Sequence, residues 1–352
     1  MRHRLRLLCL APVILLIAAG AYTAFWYQAA GRVQDGLAAW TSARRAEGYS
    51  VAYEGPEISG YPWHLRIRLE RVALAAPGAR WRWSGDAVQA KLMPWAFRRI
   101  TLRPLGTQSM TYPGADGGET ATTVAADAKA VILVNDRGRL EEAHATAEGL
   151  SLALPRAPGP IAAGKAQLDL ALPAPSPQPA PGGGTPAPSA MMSLRLEEVT
   201  LPQRAAGALG PRVQWLSVDA ALAGAVPEES PAKALAAWRD GGGALELKRL
   251  DLAWGPLALA GDATLALDRN MQPEGAGTAR IRGYGETIDA LMAQGLMKPK
   301  AGTLAKAALG LLAKTPADGG AKVLTVPLTI ENQVLYAGPV VLLKLPTIVW
   351  AE

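Results

Sequence analysis

The sequence predicts a mainly β protein with some α. An N-terminal transmembrane helix comes first, then an antiparallel, bulged, curved sheet or split barrel with C-terminal helices packed on it. Three observations carry this. An uncharged apolar run follows three arginines at the amino terminus, alternating strands with a shared break recur through the middle, and helix-period stripes return only near the end.

The chain has 352 residues, 49% of them apolar, which suffices for one large domain or two ordinary ones. A formal charge of +6 is mild, three of the positive residues sit at the extreme N-terminus, and no RNP-like, zinc-finger or helix-turn-helix pattern occurs. Nucleic acid is therefore not an expected partner.

Arg2, Arg4 and Arg6 precede the stretch from Leu7 to Tyr27, which holds no charge. At about 1.5 Å per residue such a helix spans roughly 30 Å, the thickness of a bilayer core. Flanking arginines keep their end in the cytoplasm. The reading is a cytoplasmic tip at 1–6, a single-pass inner-membrane anchor at 7–27, and everything beyond in the periplasm. Tyr22, Phe25, Trp26 and Tyr27 stand where an interfacial aromatic belt belongs. Ala19-Gly20-Ala21 also fits a signal-peptide cleavage pattern. The anchor is preferred because an aromatic cluster and a helix-like run follow directly. The one cysteine, Cys9, lies inside the apolar run without a preceding lipobox, so no intramolecular disulfide can form.

Residues 28–47 place Val33, Leu37 and Trp40 on one helical stripe, which predicts a juxtamembrane helix ending at Gly48. From there the period becomes two, and 48–352 reads as one β-rich periplasmic domain. In Ile67-Arg-Leu69-Glu-Arg-Val72-Ala-Leu74 the aliphatics alternate, pause for two charged residues and resume on the other parity. The octad recurs as LRLEEVTL (194–201) and LELKRLDL (245–252), and more loosely as WAFRRITL (95–102) and ATAEGLSL (145–152). A change of parity would send every later side chain to the wrong face, unless a β-bulge absorbs the extra residue. Glu70-Arg71, Glu197-Glu198 and Lys248-Arg249 are therefore expected as outward bulges. Most octads lead into a turn and a second alternating strand, a repeated hairpin unit. The Pro- and Gly-rich segment 173–190 reads as a disordered loop inserted into one continuous sheet, because similar strands flank it.

Near the C-terminus a short helix is expected around 231–239. Two more follow over 286–314, broken at Pro299, with stripes at Ile288, Leu291 and Met292 and at Leu304, Leu309 and Leu312. They are expected to cover the concave apolar face of the sheet. A last pair of strands turns near Glu331-Asn332.

The runs FWYQAAGRVQDGLAAW, GYPWHLRIRLERVAL and VPLTIENQVLYAGPVVLLKLP together resemble the bacterial family called domain of unknown function 2125, over nearly the whole chain. The resemblance implies a single-pass envelope protein of Gram-negative bacteria and brings no catalytic residues. At the closing turn the chain has Glu-Asn-Gln where the pattern leads one to expect a glycine, which leaves the local turn type open. More remotely, the anchor followed by bulged hairpins is similar to AsmA-like envelope proteins, whose curved sheets imply lipid carriage.

Enzymatic patterns are not found. His3, His64 and His144 share no metal-ligand spacing. No nucleophile elbow, HExxH or phosphate loop occurs, and GAGTARIRGYG at 275–285 opens no helix. Adjacent carboxylates such as Glu141-Glu142 and Glu197-Glu198 read as solvated charge. No cofactor or metal is expected. The unusual stretch is the first hairpin, where tryptophans and arginines interleave. Trp63, Arg66, Arg68, Trp81, Arg82, Trp83, Arg98 and Arg99 form the candidate surface for anionic headgroups or an acidic partner. Tryptophan in the core with arginine solvated outside explains the same pattern. The expectation is a non-enzymatic protein that binds phospholipid or another envelope component on a sheet groove. The alternative is a structural or interaction subunit without a ligand cavity.

Overall fold

The computed structural model describes residues 2–114, 117–173, 187–227, 231–315, 319 and 321–348, with the side chains of 2–14 outside that description. The chain forms two compact units, Met1–Val124 with Ala128–Gly138 and Ala125–Asp127 with Arg139–Glu352. The region expected as one β domain thus divides at about 125–139. It does not divide at the Pro-rich segment.

In the first unit one helix, α1 (Arg2–Ala46), runs without a break through the segments expected as anchor and as separate juxtamembrane helix. It stops where the sequence says it should. Gly48 (φ +86) donates to the Arg45 carbonyl and Tyr49 to that of Arg44, the two bonds of a Schellman cap. Among the described residues no helix is long and apolar enough to cross a membrane. Side chains 7–14 of the expected span lie outside the described residues, and those of Leu15, Leu16 and Ile17 stand exposed.

Strands β1 (Ser50–Ser59), β2 (Leu65–Ala75), β3 (Arg82–Met93), β4 (Ala96–Gly114) and β5 (Gly117–Val124) follow as an antiparallel meander, and β6 (Asp127–Val134) pairs with β4. The core is the contact of α1 with this sheet. Trp26, Ala29 and Ala30 are buried against Leu65, Ile67 and Leu92, with Val33, Ile58, Leu69 and Ala90 packed around them. The expected stripe is corrected by this contact. Trp40 stays exposed, while Trp26, expected in an interfacial belt, is buried on the sheet. Two alanines one turn along from Trp26 let the helix approach closely.

In the second unit β7 (Leu140–Ala153), β8 (Ile161–Ala171), β9 (Pro188–Thr200) and β10 (Arg212–Ala223) precede a short helix, α2 (Pro231–Asp240). Then come β11 (Ala244–Trp254), β12 (Leu257–Leu267), β13 (Pro273–Arg282), α3 (Tyr284–Ala293), α4 (Pro299–Leu312), β14 (Leu324–Glu331), β15 (Val334–Ala337) and β16 (Val340–Lys344). Each strand pairs antiparallel with the next. The sheet continues across the Pro-rich segment, since β8 and β9 pair from Ala162↔Thr200 to Ala171↔Met191. Of that segment 174–186 lies outside the described residues, whereas 188–190 belongs to β9 and not to a loop.

The bulges fall where parity requires them. Arg71 (φ +47), Glu198 (φ +54) and Gly149 (φ +57) occupy the same octad position in the left-handed region, and Arg71 and Glu198 are exposed. Across Lys248-Arg249, Leu247↔Ala263 gives way to Leu250↔Gly261, three residues against two. Leu196, Val199 and Leu201 therefore share one cluster although their parity differs. Around Glu198 the neighbours irregularise at the same level, and pairing of β9 with β8 and β10 keeps its register. WAFRRITL departs from the pattern. From Lys91 to Met93 its partner advances from Thr101 back to Ala96, so this octad is a wider break than one extra residue.

The closing turn is also settled. Asn332 and Gln333 both have positive φ (+51 and +60) between paired Glu331 and Val334, a type I′ hairpin without its usual glycine.

The C-terminal helices form as expected, with Pro299 opening α4 rather than interrupting it. Against the sheet they lie on β12 and β14 and leave most of its face uncovered. They pack on each other, held by Lys306 with Asp289 (2.7 Å) and by Gly302 under Met292, and α3 also leans on the turn at 207–209. Leu304 and Leu312, expected on the packing stripe of α4, are 72% and 66% exposed, because Gly302, Ala305 and Leu309 form the inner side instead.

Candidate functional surfaces

The Gly-Tyr-Pro-Trp turn is built onto α1. Gly60 has φ +103 and a Cβ there would meet the His64 carbonyl at 2.6 Å, so only glycine fits. Tyr22 donates its hydroxyl proton to the Pro62 carbonyl, the Thr23 and Tyr61 hydroxyls lie 2.7 Å apart, and the Trp26 ring meets Tyr61 edge-on. Trp63 is left 73% exposed. Because Leu65 pairs with Leu92, the β3–β4 turn lies at this same end, with Trp95 61% exposed beside it.

On the β2 face turned away from α1, Arg66 stands opposite Lys91, and Lys91 opposite Thr101. One step along, Gln89 faces Arg103. With Arg99 these residues line an open groove of about 430 Å³ that holds four cations and no acid. Among the described residues none of the four is in an ion pair, and Arg66 reaches only the His64 imidazole at 3.3 Å. The acids on this face, Glu57 and Glu70, flank Arg68, which Glu70 binds at 2.9 Å outside the groove.

This arrangement holds His64 below the ordinary imidazole value of 6.5, first by burial and then by the charges of Lys91 and Arg66. The ring therefore takes up a proton less readily than a free imidazole does. An NMR titration of the full chain should place its midpoint below 6.5, and Lys91→Met should move it partly back upward. A midpoint unmoved by that substitution would separate His64 from the groove.

The structure brings Trp63, Arg66 and Arg99 of the sequence-derived set to one end. Arg98 turns aside to the Val134 carbonyl (3.0 Å) and Asp136 (3.3 Å). Trp81, Arg82 and Trp83 are at the far end of the hairpin, where Arg82 pairs with Ala75 and Trp81 lies beside Tyr49. Ten residues of strand, about 33 Å, separate them from the groove. Arg103 belongs to the same arginine-rich stretch of the sequence, whereas Lys91 was not in that set. The signal for Lys91 was the hairpin itself, since closure at 76–81 puts residue 91 opposite 66.

A second candidate surface belongs to the other unit. Leu168, Leu194, Val218 and Leu250 stand opposite one another in successive strands, and Leu170, Met192, Ala220 and Leu247 form the next row. Both rows run from β7 to β14 without a polar residue, and only Ala279 among them is buried. The reverse face carries Asp169, Ser193, Asp219 and Arg249. Eight strands at about 4.8 Å spacing and two rows of side chains about 7 Å apart amount to an area on the order of 500 Å². An apolar patch of about this size is commonly the largest on a soluble monomer and is often functional.

His144 Nδ1 is bonded to Asp169, whose carboxyl this bond, aided by Gln167, holds below the usual carboxylate range. The neighbouring hydroxyl of Ser193 donates to Asp219 and not to the imidazole. Among the described residues no group of three His, Cys, Asp or Glu could hold a metal ion.

Over residues 26–346 the chain matches a family described as "Uncharacterized protein conserved in bacteria (DUF2125)". No curated protein and no solved structure matches it.

Proposed function

The chain belongs to the bacterial DUF2125 family, and we propose that it is a non-enzymatic, membrane-attached envelope protein carrying acyl chains on the apolar face of its second unit. The open face carries this reading. Apolar side chains left open to solvent are stabilised when an apolar ligand covers them, at about 25 cal/mol per Å² covered. Attachment rests on the uncharged run from Leu7 to Tyr27 behind three arginines, together with exposed Leu15, Leu16 and Ile17. That orientation puts both β units in the periplasm, anchored to the inner membrane.

Native mass spectrometry of the detergent-purified chain tests it. Co-purified phospholipid is expected from the natural protein. Leu168→Glu with Leu194→Glu, two charges facing each other on the open face, should abolish it while the melting temperature changes little. Lipid retained by the double variant, or never found on the natural protein, would remove the proposal.

One observation favours the second reading, an interaction subunit. Strand β16 pairs with β15 alone among the described residues, and Val340, Val341, Leu342 and Leu343 are all exposed. Such an unprotected edge accepts another strand.

A further inference from the structure

We infer that the groove lined by Arg66, Lys91, Arg99 and Arg103 binds the phosphate of an anionic phospholipid headgroup. Four cations converge on one concavity and no acid lines it, so nothing in the groove offsets their mutual repulsion. An anion does so. Guanidinium groups present paired donors that match phosphate oxygens, and the lysine adds a point charge. Gln89 and Thr101 supply neutral donors between the cations. A volume of about 430 Å³ lies within the range of small-molecule sites.

The rim assigns the phosphate to a lipid and not to the free ion. Trp63, Met93 and Trp95 are exposed at the groove's end, and the Tyr61-Pro62 turn there is bonded to Tyr22 and Thr23 of α1. Those two residues lie near the end of the uncharged run. Indole rings favour the headgroup level of a bilayer, where cations also meet anionic lipid. The inference rests on membrane attachment only for the source of the ligand. It is independent of the apolar face in the second unit.

The full chain in neutral detergent is titrated with dihexanoyl phosphatidate, dihexanoyl phosphatidylcholine and inorganic phosphate, followed by tryptophan fluorescence. Phosphatidate should bind tightest. Each exposed cation near an anionic headgroup contributes about fivefold, so Arg66→Gln with Arg99→Gln should weaken it by about 25-fold and Lys91→Met by about fivefold. All three side chains are on the surface, and an unchanged melting temperature confirms the fold. Arg204→Gln with Arg212→Gln removes the same charge elsewhere and should leave affinity unchanged. Equal weakening by that control, or none by the groove variants, would overturn the site. Inorganic phosphate binding as tightly as phosphatidate would overturn the lipid assignment, and so would phosphatidylcholine binding equally well.

Discussion

Deleting Arg71 should all but unfold the first unit, whereas Arg71→Ala should leave it nearly intact. From Ala52 to Glu54 strand β1 advances two residues while β2 takes three, from Ala73 to Glu70, so Arg71 is the extra one. Its φ of +47 belongs to that bulge. On one side of it Ile67 and Leu69 pack under α1. On the other, Leu74 stands opposite Val51, which shares a strand face with Tyr53, and Tyr53 meets Thr41 of α1 through its hydroxyl at 3.4 Å. Without residue 71, Val72 and Leu74 turn away from α1 and their neighbours turn in. Losing the burial of these two half-buried aliphatics and turning polar neighbours inward costs up to roughly 3–6 kcal/mol, against a typical total of about 5–15. Alanine keeps the count and loses only the ion pair with Glu54, whose partners are 68% and 53% exposed, so about 1 kcal/mol is its ceiling. Arg71→Gly should be neutral or stabilising, since glycine adopts this φ freely. Thermal denaturation of the full chain in detergent reads all three. A deletion tolerated like the substitutions would show that residue 71 does not set the parity.

That bulge was legible because an alternation can be interrupted by two charged residues, and resume out of phase, in few other ways. The closing of α1 at Gly48 was legible for a similar reason, as a glycine beyond a helical stripe. What the sequence concealed depended on spatial neighbours. A wheel drawn over 28–47 favours large Trp40, but burial went to Trp26, Ala29 and Ala30, where small side chains let helix and sheet meet. Arg82 and Arg66 look like one cluster along the chain. The hairpin sends one to each end and draws in Lys91 from the returning strand. The leucines of α4 form a convincing stripe, yet Gly302 packs beneath Met292 and turns Leu304 and Leu312 outward. Periodicity identifies a face. It does not tell what lies against it.

Leu65→Ala and Leu168→Ala make that distinction measurable, and with it the proposed function. Both residues are leucines on the apolar face of a strand, and residue type predicts the same loss for each. Leu65 is wholly buried beneath Trp26 and Ala29, so truncation leaves a cavity that the helix and sheet can only partly close. Such changes cost about 3–5 kcal/mol. Leu168 is 38% exposed on the open face and leaves no enclosed cavity, so less than about 1 kcal/mol is expected in delipidated protein. Adding phospholipid should change the comparison. A ligand at a hundred times its dissociation constant stabilises the folded chain by about 2.7 kcal/mol, and a shortened Leu168 should forfeit part of that gain while Leu65→Ala keeps it. Melting curves with and without lipid separate the cases. If Leu168→Ala is as costly as Leu65→Ala without lipid, the face is already closed by protein, and acyl chains have no place on it.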